Sequence, residues 1–190
     1  MESRIKELLS KRQRQELSDP KFKRAAVFLL LFERNGEYHI IFEKRSNRLQ
    51  FHKGQISFPG GGFDVEDVTL LNTAFRETFE EIGLARENIE VLGELDDIVT
   101  FTSSYLVTPF VGLVKHPPDA WSKINKYELE WVIEVPLSVL LDERNFHEEL
   151  REYFGHNVSV YFYNYNGQVI WGATAMILKQ FLGLLKVKEE

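Results

Sequence analysis

The sequence contains no cysteine among its 190 residues. This absence excludes disulfide bonds, thiolate nucleophiles, iron–sulfur clusters and cysteine-bound zinc. The chain also has no apolar run as long as a membrane span, and its N-terminus is charged where a signal peptide would be apolar. From these absences we expect a cytoplasmic protein that does not insert into a membrane.

Basic residues are also fewer than acidic ones. The chain has 23 lysines and arginines against 29 aspartates and glutamates, for a net charge of -6. We therefore expect no nucleic-acid partner, and an anionic substrate would need a metal ion or a local basic pocket. Because no repeat or linker is visible, we expect one domain over residues 1–190, with residues 1–23 as an N-terminal helical extension. A monomer or a homodimer is expected.

Alternating hairpin and helix signals predict an α/β fold with a mixed β-sheet. The apolar run over residues 25–32 indicates a buried strand, and Asn35-Gly36 predicts a hairpin turn into a second strand over 38–44. A helix is predicted from about residue 67 to residue 82, ending at Gly83. Further strands are predicted over 89–95, 104–114, 128–135, 158–165 and 169–171, and a final helix over 172–186.

Three glutamates share one flank of the helix predicted over residues 67–82. At about 100° per residue, Glu77, Glu80 and Glu81 lie together beside the core-facing stripe. Like charges at these spacings destabilise a helix modestly, and Arg76 relieves only part of the repulsion. A divalent cation would relieve more, because Mg²⁺ and Mn²⁺ prefer carboxylate oxygens as ligands. Taken alone, three such glutamates are more often a solvated acidic face.

The loop just upstream changes that balance. Pro59-Gly60-Gly61-Gly62 follows a short strand predicted over residues 55–58 and precedes the acidic helix. Glycine permits a close approach of the backbone to a ligand. Gly60 and Gly61 are therefore candidate substrate-binding positions, and the Gly61 carbonyl is a candidate metal ligand. A plain tight turn is the alternative for the glycines considered by themselves.

The loop and the helix together resemble a known motif. Gly62 followed by Arg76-Glu77-Thr78-Phe79-Glu80-Glu81-Ile82-Gly83-Leu84 is similar to the Nudix box, usually written GX5EX7REUXEEXGU with U a bulky aliphatic residue. Val68 takes the place of the middle glutamate, with Glu66-Asp67 beside it, and Thr78 takes the first U position. Neither departure removes a glutamate from Arg-Glu-x-x-Glu-Glu. The resemblance implies an α/β/α sandwich and a metal-dependent pyrophosphohydrolase.

A second block, before the box, resembles the signature of coenzyme A pyrophosphatases. It consists of Lys44-Arg45-Ser46, Leu49, His52, Gly54-Gln55 and Phe58-Pro59-Gly60-Gly61. Later segments, within residues 95–100, 107–111, 128–137 and 170–175, resemble the same branch, and the resemblance spans roughly residues 24–182. It implies hydrolysis of the coenzyme A diphosphate to 3′,5′-ADP and 4′-phosphopantetheine.

The resemblance also implies roles for particular side chains. Glu77, Glu80 and Glu81, with the Gly61 carbonyl, are the candidate ligands of Mg²⁺ or Mn²⁺. The candidate catalytic residues are Glu80, Glu77, Arg76 and Glu128. Among them Glu80 is the first candidate for the general base and Glu128 the second, although a surface strand glutamate explains Glu128 equally well.

Basic residues of the upstream block are candidate contacts for substrate phosphates. Arg45, Arg48, His52 and Lys53 could face these phosphates, including the 3′-phosphate of coenzyme A. A solvated basic loop is the alternative for these four. The substrate in either case is expected to be a small molecule.

Two other functions stay open at this point. The chain could be a Nudix hydrolase for ADP-ribose, a dinucleotide or an oxidised nucleotide. It could also be a non-catalytic nucleotide-binding module. The presence of all three box glutamates argues against the second of these.

Overall fold

The computed structural model describes residues 1–49, 53–100, 103–118, 120–153 and 155–186. Within these ranges the α-helices are α1 (Glu2–Lys11), α2 (Leu70–Ile82), α3 (Leu137–Leu141) and α4 (Gly172–Lys186). The strands are β1 (Lys23–Arg34), β2 (Glu37–Arg45), β3 (Ile56–Ser57), β4 (Gly60–Gly62), β5 (Ile89–Glu94), β6 (Ile98–Thr100), β7 (Tyr105–Val114), β8 (Leu129–Pro136), β9 (Phe146–Tyr153), β10 (His156–Tyr165) and β11 (Gln168–Trp171). No helix in this part of the chain is both long enough and apolar enough to cross a membrane.

An eight-stranded mixed sheet forms the centre of the fold. Its main path runs β3-β2-β1-β7-β5, with β8 added on β2, β6 on β7 and β4 on β1. Strand β1 is antiparallel to β2 and parallel to β7. A second, three-stranded antiparallel sheet has the order β11-β10-β9.

Strand β1 carries apolar side chains on both faces of the sheet. Residues 25–32 are all apolar, as expected of a strand that is buried on both sides. Phe28 packs in a cluster with Phe75 of α2, whereas its neighbour Leu29 packs in a separate cluster with Phe181 of α4. Helix α1 contributes to the second cluster as well. The sheet therefore lies between two helical layers, which confirms the predicted α/β/α sandwich with a mixed sheet.

The N-terminal segment is helical over a shorter stretch than the predicted extension. Helix α1 ends at Lys11, and Arg12 is already extended, with φ -92° and ψ 147°. The Arg12 guanidinium pairs with Asp96, and that of Arg14 pairs with Asp97 at 2.9 Å. These partners lie more than 80 residues away in sequence. The segment after α1 therefore runs alongside Asp96 and Asp97 in an extended conformation instead of continuing the helix.

Helix α2 begins later than the sequence predicts and ends where it predicts. Thr69 is the N-cap, and its hydroxyl accepts a hydrogen bond from the Asn72 backbone at 3.2 Å. Residues 65–67 form a separate 3₁₀ turn, capped by the Asp64 side chain. Gly83 ends the helix in the left-handed conformation, with φ 70°, as is common at helix C-termini.

The sequence patterns missed strands β6 and β9. Strand β9, FHEELREY, is too rich in charged residues to show an apolar alternation. It forms because it pairs over its whole length with β10. Strand β6 has only three residues and pairs with the start of β7.

We predict that Asp97 is required to hold the N-terminal segment on the sheet. Its side chain is fully buried and accepts hydrogen bonds from Arg14 (2.9 Å), the Leu17 backbone (3.0 Å) and the Thr108 hydroxyl (2.7 Å). The substitution Asp97→Ala should lower the free energy of unfolding by about 1–3 kcal/mol in urea titrations, because it leaves the Leu17 N–H and the Thr108 hydroxyl without their acceptor and removes one of the two carboxylates that pair with Arg14. Glu149→Ala, which removes a half-exposed ion pair, should cost less than about 1 kcal/mol. Equal losses would contradict this role.

Candidate active site

Strand β4 brings the glycine loop directly against the acidic helix. Gly60–Gly62 pairs with residues 25–27 of β1 in antiparallel register. Gly60 has φ 146°, a conformation open to glycine but rarely to other residues. Its backbone N–H donates a hydrogen bond to Glu81 Oε2 at 2.8 Å. The two segments predicted to adjoin are therefore linked by a direct contact.

Gly61 leaves the space that the Glu77 carboxyl occupies. A Cβ atom at position 61 would stand 2.5 Å from Glu77 Cδ. Glu77 Oε1 lies 2.8 Å from Arg76 Nη1. Burial raises the pKa of Glu77, the Arg76 charge opposes that rise, and the charges of Glu80 and Glu128 add to it. A cation bound beside Glu77 would offset the cost of this burial.

Glu81 lies opposite a second buried carboxyl, that of Glu43 on β2. Their side chains are within hydrogen-bonding reach, and the two residues are 2% and 0% exposed. Burial, followed by the charge of Glu43, raises the pKa of Glu81 well above its usual range. Burial is also the main cause that raises the pKa of Glu43. Sequence analysis missed Glu43, although a glutamate after Ile40-Ile41-Phe42 in an apolar strand was a signal that could have found it.

Glu80 stands apart from the other two box glutamates. Its side chain is 54% exposed, and it lies 3.3 Å from Arg76 Nη1. Helix geometry therefore spreads the three glutamates from a buried position (Glu81), through a partly buried one (Glu77), to an exposed one. No group of three or more Asp, Glu or His side chains within the described ranges lies close enough together to hold an ion by itself. An ion here would need water and substrate oxygens as further ligands, as Mg²⁺ commonly does.

Arg76 is held in place by Asp67. Its Nε and Nη2 donate to the two carboxylate oxygens of Asp67 at 2.8 and 3.0 Å. Asp67 also accepts hydrogen bonds from the Thr73 hydroxyl at 2.8 Å and the Asp64 backbone at 3.1 Å. Hydrogen bonds from Arg76 are the largest cause of the lowered pKa of Asp67. Arg76 is thus oriented to reach Glu77 and the exposed helix glutamate from a fixed position.

Asp67 makes this ion pair one residue before the middle glutamate position of the Nudix box. The residue at that position, Val68, is 78% exposed and has φ 64°. Positive φ is rare for a β-branched residue. The 3₁₀ turn over residues 65–67 directs the Asp67 carboxylate inward instead. The sequence departure at Val68 therefore leaves Arg76 with a carboxylate partner.

Glu128 approaches the site from the segment before β8. Its Oε1 accepts a hydrogen bond from Asn125 Nδ2 at 3.1 Å, and the Asn125 backbone N–H donates to the Glu81 carbonyl at 2.8 Å. Burial is the largest cause that raises the pKa of Glu43 and of Glu77, and the charge of Glu128 is a smaller cause that raises both. The structure therefore places Glu128 beside the carboxylates rather than on a remote surface.

The basic candidates are distributed unevenly around the site. Arg45 ends β2 and is partly buried, and its charge acts on Glu43. Its Nε is buried without a hydrogen-bond partner in the part of the chain that the structure describes. Arg48 is exposed in the turn that follows. His52 lies outside the described residues.

Comparison with known proteins identifies the family. The NUDIX domain model matches residues 22–154. The Nudix hydrolase NudL of Photorhabdus laumondii is 37% identical over 148 residues, which is 78% of this chain and 78% of that protein. The chain belongs to the Nudix hydrolase family. Nudix hydrolases are pyrophosphohydrolases that generally use divalent ions such as Mg²⁺ or Mn²⁺.

Other Nudix proteins agree with this assignment. The mitochondrial Nudix hydrolase 15 of Arabidopsis thaliana is 36% identical over 163 residues, covering 82% of this chain and 56% of that protein. The NUDIX domain of Shewanella oneidensis NrtR, solved with ADP ribose, aligns with a TM-score of 0.51 at 19% identity over 65% of this chain and 81% of that one. A Nudix hydrolase of Alicyclobacillus acidocaldarius aligns with a TM-score of 0.52 at 17% identity over 66% and 84%. These two structures support the fold.

The residues present fit a divalent ion of the kind that Nudix hydrolases use. Glu77 and Glu81 are carboxylates drawn out of water beside the glycine strand, and hard cations prefer such oxygens. Glu43 Oε2, a buried carboxylate oxygen that receives no hydrogen bond from the described residues, belongs to the same group. Carboxylate oxygens of this kind are the ligands that Mg²⁺ and Mn²⁺ prefer.

We predict that Gly61→Ala displaces the Glu77 carboxyl without unfolding the protein. The new Cβ would meet the end of a flexible side chain, which can move, rather than rigid backbone. Misplacement of a catalytic group by about 1 Å can reduce turnover by about 100-fold. We therefore expect a loss of that order in kcat/KM, with a melting temperature close to that of the wild type.

The matched comparison for this variant is Gly62→Ala. A Cβ there would make ordinary contact, 3.7 Å from the Tyr105 ring. Turnover should fall much less than in Gly61→Ala, as measured with any diphosphate that the wild type cleaves. Equal losses in the two variants would show that the Glu77 contact is not the cause.

We predict that Asp67 makes stability depend on acid pH. Because its pKa is lowered in the folded protein, it stabilises the fold above its unfolded pKa of about 3.9, and this contribution is lost as the pH falls further. Asp67→Asn should therefore be less stable than the wild type at pH 7, and the difference should shrink towards pH 3. Urea unfolding at several pH values measures this, and a difference that stays constant with pH would contradict it.

Proposed function

We propose that this Nudix hydrolase cleaves the diphosphate of coenzyme A or its derivatives, yielding 3′,5′-ADP and 4′-phosphopantetheine. One observation carries the proposal: the described parts of the segment with the branch signature lie against the carboxylates. The Arg45 N–H donates to the Gln55 carbonyl at 3.0 Å, and the Gly54 N–H donates to the Arg45 carbonyl at 3.1 Å. The Ser57 hydroxyl then donates to Glu43 at 3.0 Å. Residues that distinguish the branch in sequence thus border the candidate site.

The charge pattern supports a substrate with several phosphates. Coenzyme A carries a diphosphate and a separate 3′-phosphate. Arg45 lies beside the carboxylates and retains a buried donor, Nε, without a partner among the described residues. We assign Arg45 to the diphosphate or the 3′-phosphate, and the exposed Arg48 to the outer part of the substrate.

A bound Mg²⁺ or Mn²⁺ would neutralise phosphate charge and lower the pKa of a water molecule. Glu77 and Glu81 would hold this ion together with the Gly61 carbonyl. The Gly60 N–H fixes one oxygen of Glu81 and thereby orients the other. Arg76 keeps Glu77 in place.

Glu80 is the proposed general base because it is a box carboxylate that water can reach. Glu128, beside the same group, is the second candidate for this role. A positioned base contributes about 10²–10⁴-fold to such a reaction. Substitution of the residue that acts as the base should therefore reduce the rate by about 10²–10⁴-fold, and substitution of the other candidate should reduce it less.

We predict that coenzyme A incubated with the protein and Mg²⁺ yields two products with the masses of 3′,5′-ADP and 4′-phosphopantetheine. Glu81→Gln should reduce the rate by more than about 100-fold, since it removes a charged ligand. Mass spectrometry of the products and the rates at saturating Mg²⁺ test both statements. Chelation of the ion should stop the reaction.

The control is Glu90→Gln, which alters a surface glutamate paired with Lys6 and Lys115. Its rate should equal that of the wild type. If coenzyme A stays intact while ADP-ribose or a dinucleotide is cleaved, the coenzyme A proposal is wrong and the Nudix assignment stands. If Glu81→Gln turns over normally, the proposed ion site is wrong.

A further inference from the structure

We propose that Glu43 is a further metal-facing carboxylate, which acts from strand β2 on the same ion that Glu81 contacts from helix α2. This inference rests on the ion site of the proposed function and adds to it a residue outside the Nudix box. Glu43 lies on β2, whereas the box glutamates lie on α2. The ion would therefore connect the central sheet to the helical layer above it.

The first support is the position of Glu43 in the sheet. It pairs with Ser57 of β3 on one side and with Val132 of β8 on the other, so its strand is enclosed in the sheet. The residue is completely buried. Charged groups in such positions are rare unless they are paired or bind a metal.

The second support is an unsatisfied oxygen. Glu43 Oε1 accepts a hydrogen bond from the Ser57 hydroxyl, but Oε2 has no hydrogen-bond partner among the described residues. The buried aspartates Asp67 and Asp97 contrast with it, because each accepts several hydrogen bonds. A buried carboxylate oxygen without a donor is costly, and a cation is a partner that would satisfy it.

The third support is what surrounds that oxygen. The Glu81 carboxyl lies within hydrogen-bonding reach of Glu43, and the charges of Glu77 and Glu128 act on the same pair. Arg45 contributes one nearby positive charge. A divalent ion between Glu43 and Glu81 would give the buried Oε2 a partner and would contact both carboxyls at once. We therefore assign the Oε2 direction to the ion.

The experiment measures Mn²⁺ binding without substrate, so that it does not depend on turnover. Calorimetric titration of the wild type, Glu43→Gln, Glu81→Gln and Glu134→Gln gives the affinity of each. Glu134 is the matched control, because it is a strand glutamate on β8 whose two oxygens are satisfied by Arg34 and Trp121. We expect about a tenfold loss of affinity for Glu43→Gln, a larger loss for Glu81→Gln and no change for Glu134→Gln.

A thermal melt with and without Mn²⁺ separates this role from a purely structural one. In Glu43→Gln the new amide can donate a hydrogen bond to Glu81, so the metal-free protein should melt no lower than the wild type. The rise in melting temperature on adding Mn²⁺ should be smaller than in the wild type, in line with the weaker binding. A lower metal-free melting temperature combined with an unchanged Mn²⁺ response would overturn the proposal.

The outcomes also distinguish this proposal from the one on which it rests. If the wild type binds Mn²⁺ and Glu43→Gln binds it equally well, Glu43 is not metal-facing, and the Glu81 site stands. If the wild type binds no Mn²⁺, both proposals fail. Should Glu43→Gln not fold, Glu43→Asp keeps the charge but withdraws the carboxyl by one methylene, and undiminished Mn²⁺ affinity in that variant would overturn the assignment.

Discussion

The candidate site depends on holding several carboxyl groups close together in a buried position. The Gly60 N–H fixes Glu81 against strand β4, and β2 supplies Glu43 to the same region. Repulsion between buried carboxylates is stronger than at a surface, because the local dielectric is lower. The surrounding fold must therefore be stable enough to carry this cost, and the apolar clusters on both faces of β1 provide that stability.

The positive charges near these carboxylates are restrained rather than free to neutralise them. Arg76 is engaged by Asp67 at two points, so only part of its guanidinium reaches Glu77 and Glu80. Without that restraint, a flexible arginine could fold over the carboxylates and compete with a metal ion. The ion pair thus preserves negative charge where a cation is proposed to bind.

Much of the fold follows from local sequence patterns, whereas the missed features depend on distant contacts. The apolar run of β1 and the Gly83 end of α2 are encoded within a few residues, and both were predicted. Helix α1 ends early because Arg12 pairs with Asp96, which no local pattern contains. Glu43 carries a local signal, its place after Ile40-Ile41-Phe42 in an apolar strand, but its partner does not, because Glu81 lies 38 positions further along the chain and meets it only when α2 packs on the sheet.

The Asp67 contact also bears on how family signatures are used. A spacing rule that insists on glutamate at position 68 would reject this chain, although Arg76 has a carboxylate partner, because the preceding residue, Asp67, accepts two hydrogen bonds from it. The 3₁₀ turn changes which side chain points inward, so neighbouring positions can exchange tasks. Motif definitions for such enzymes would recover more true members if they specified a carboxylate within reach of the helix arginine rather than a fixed letter.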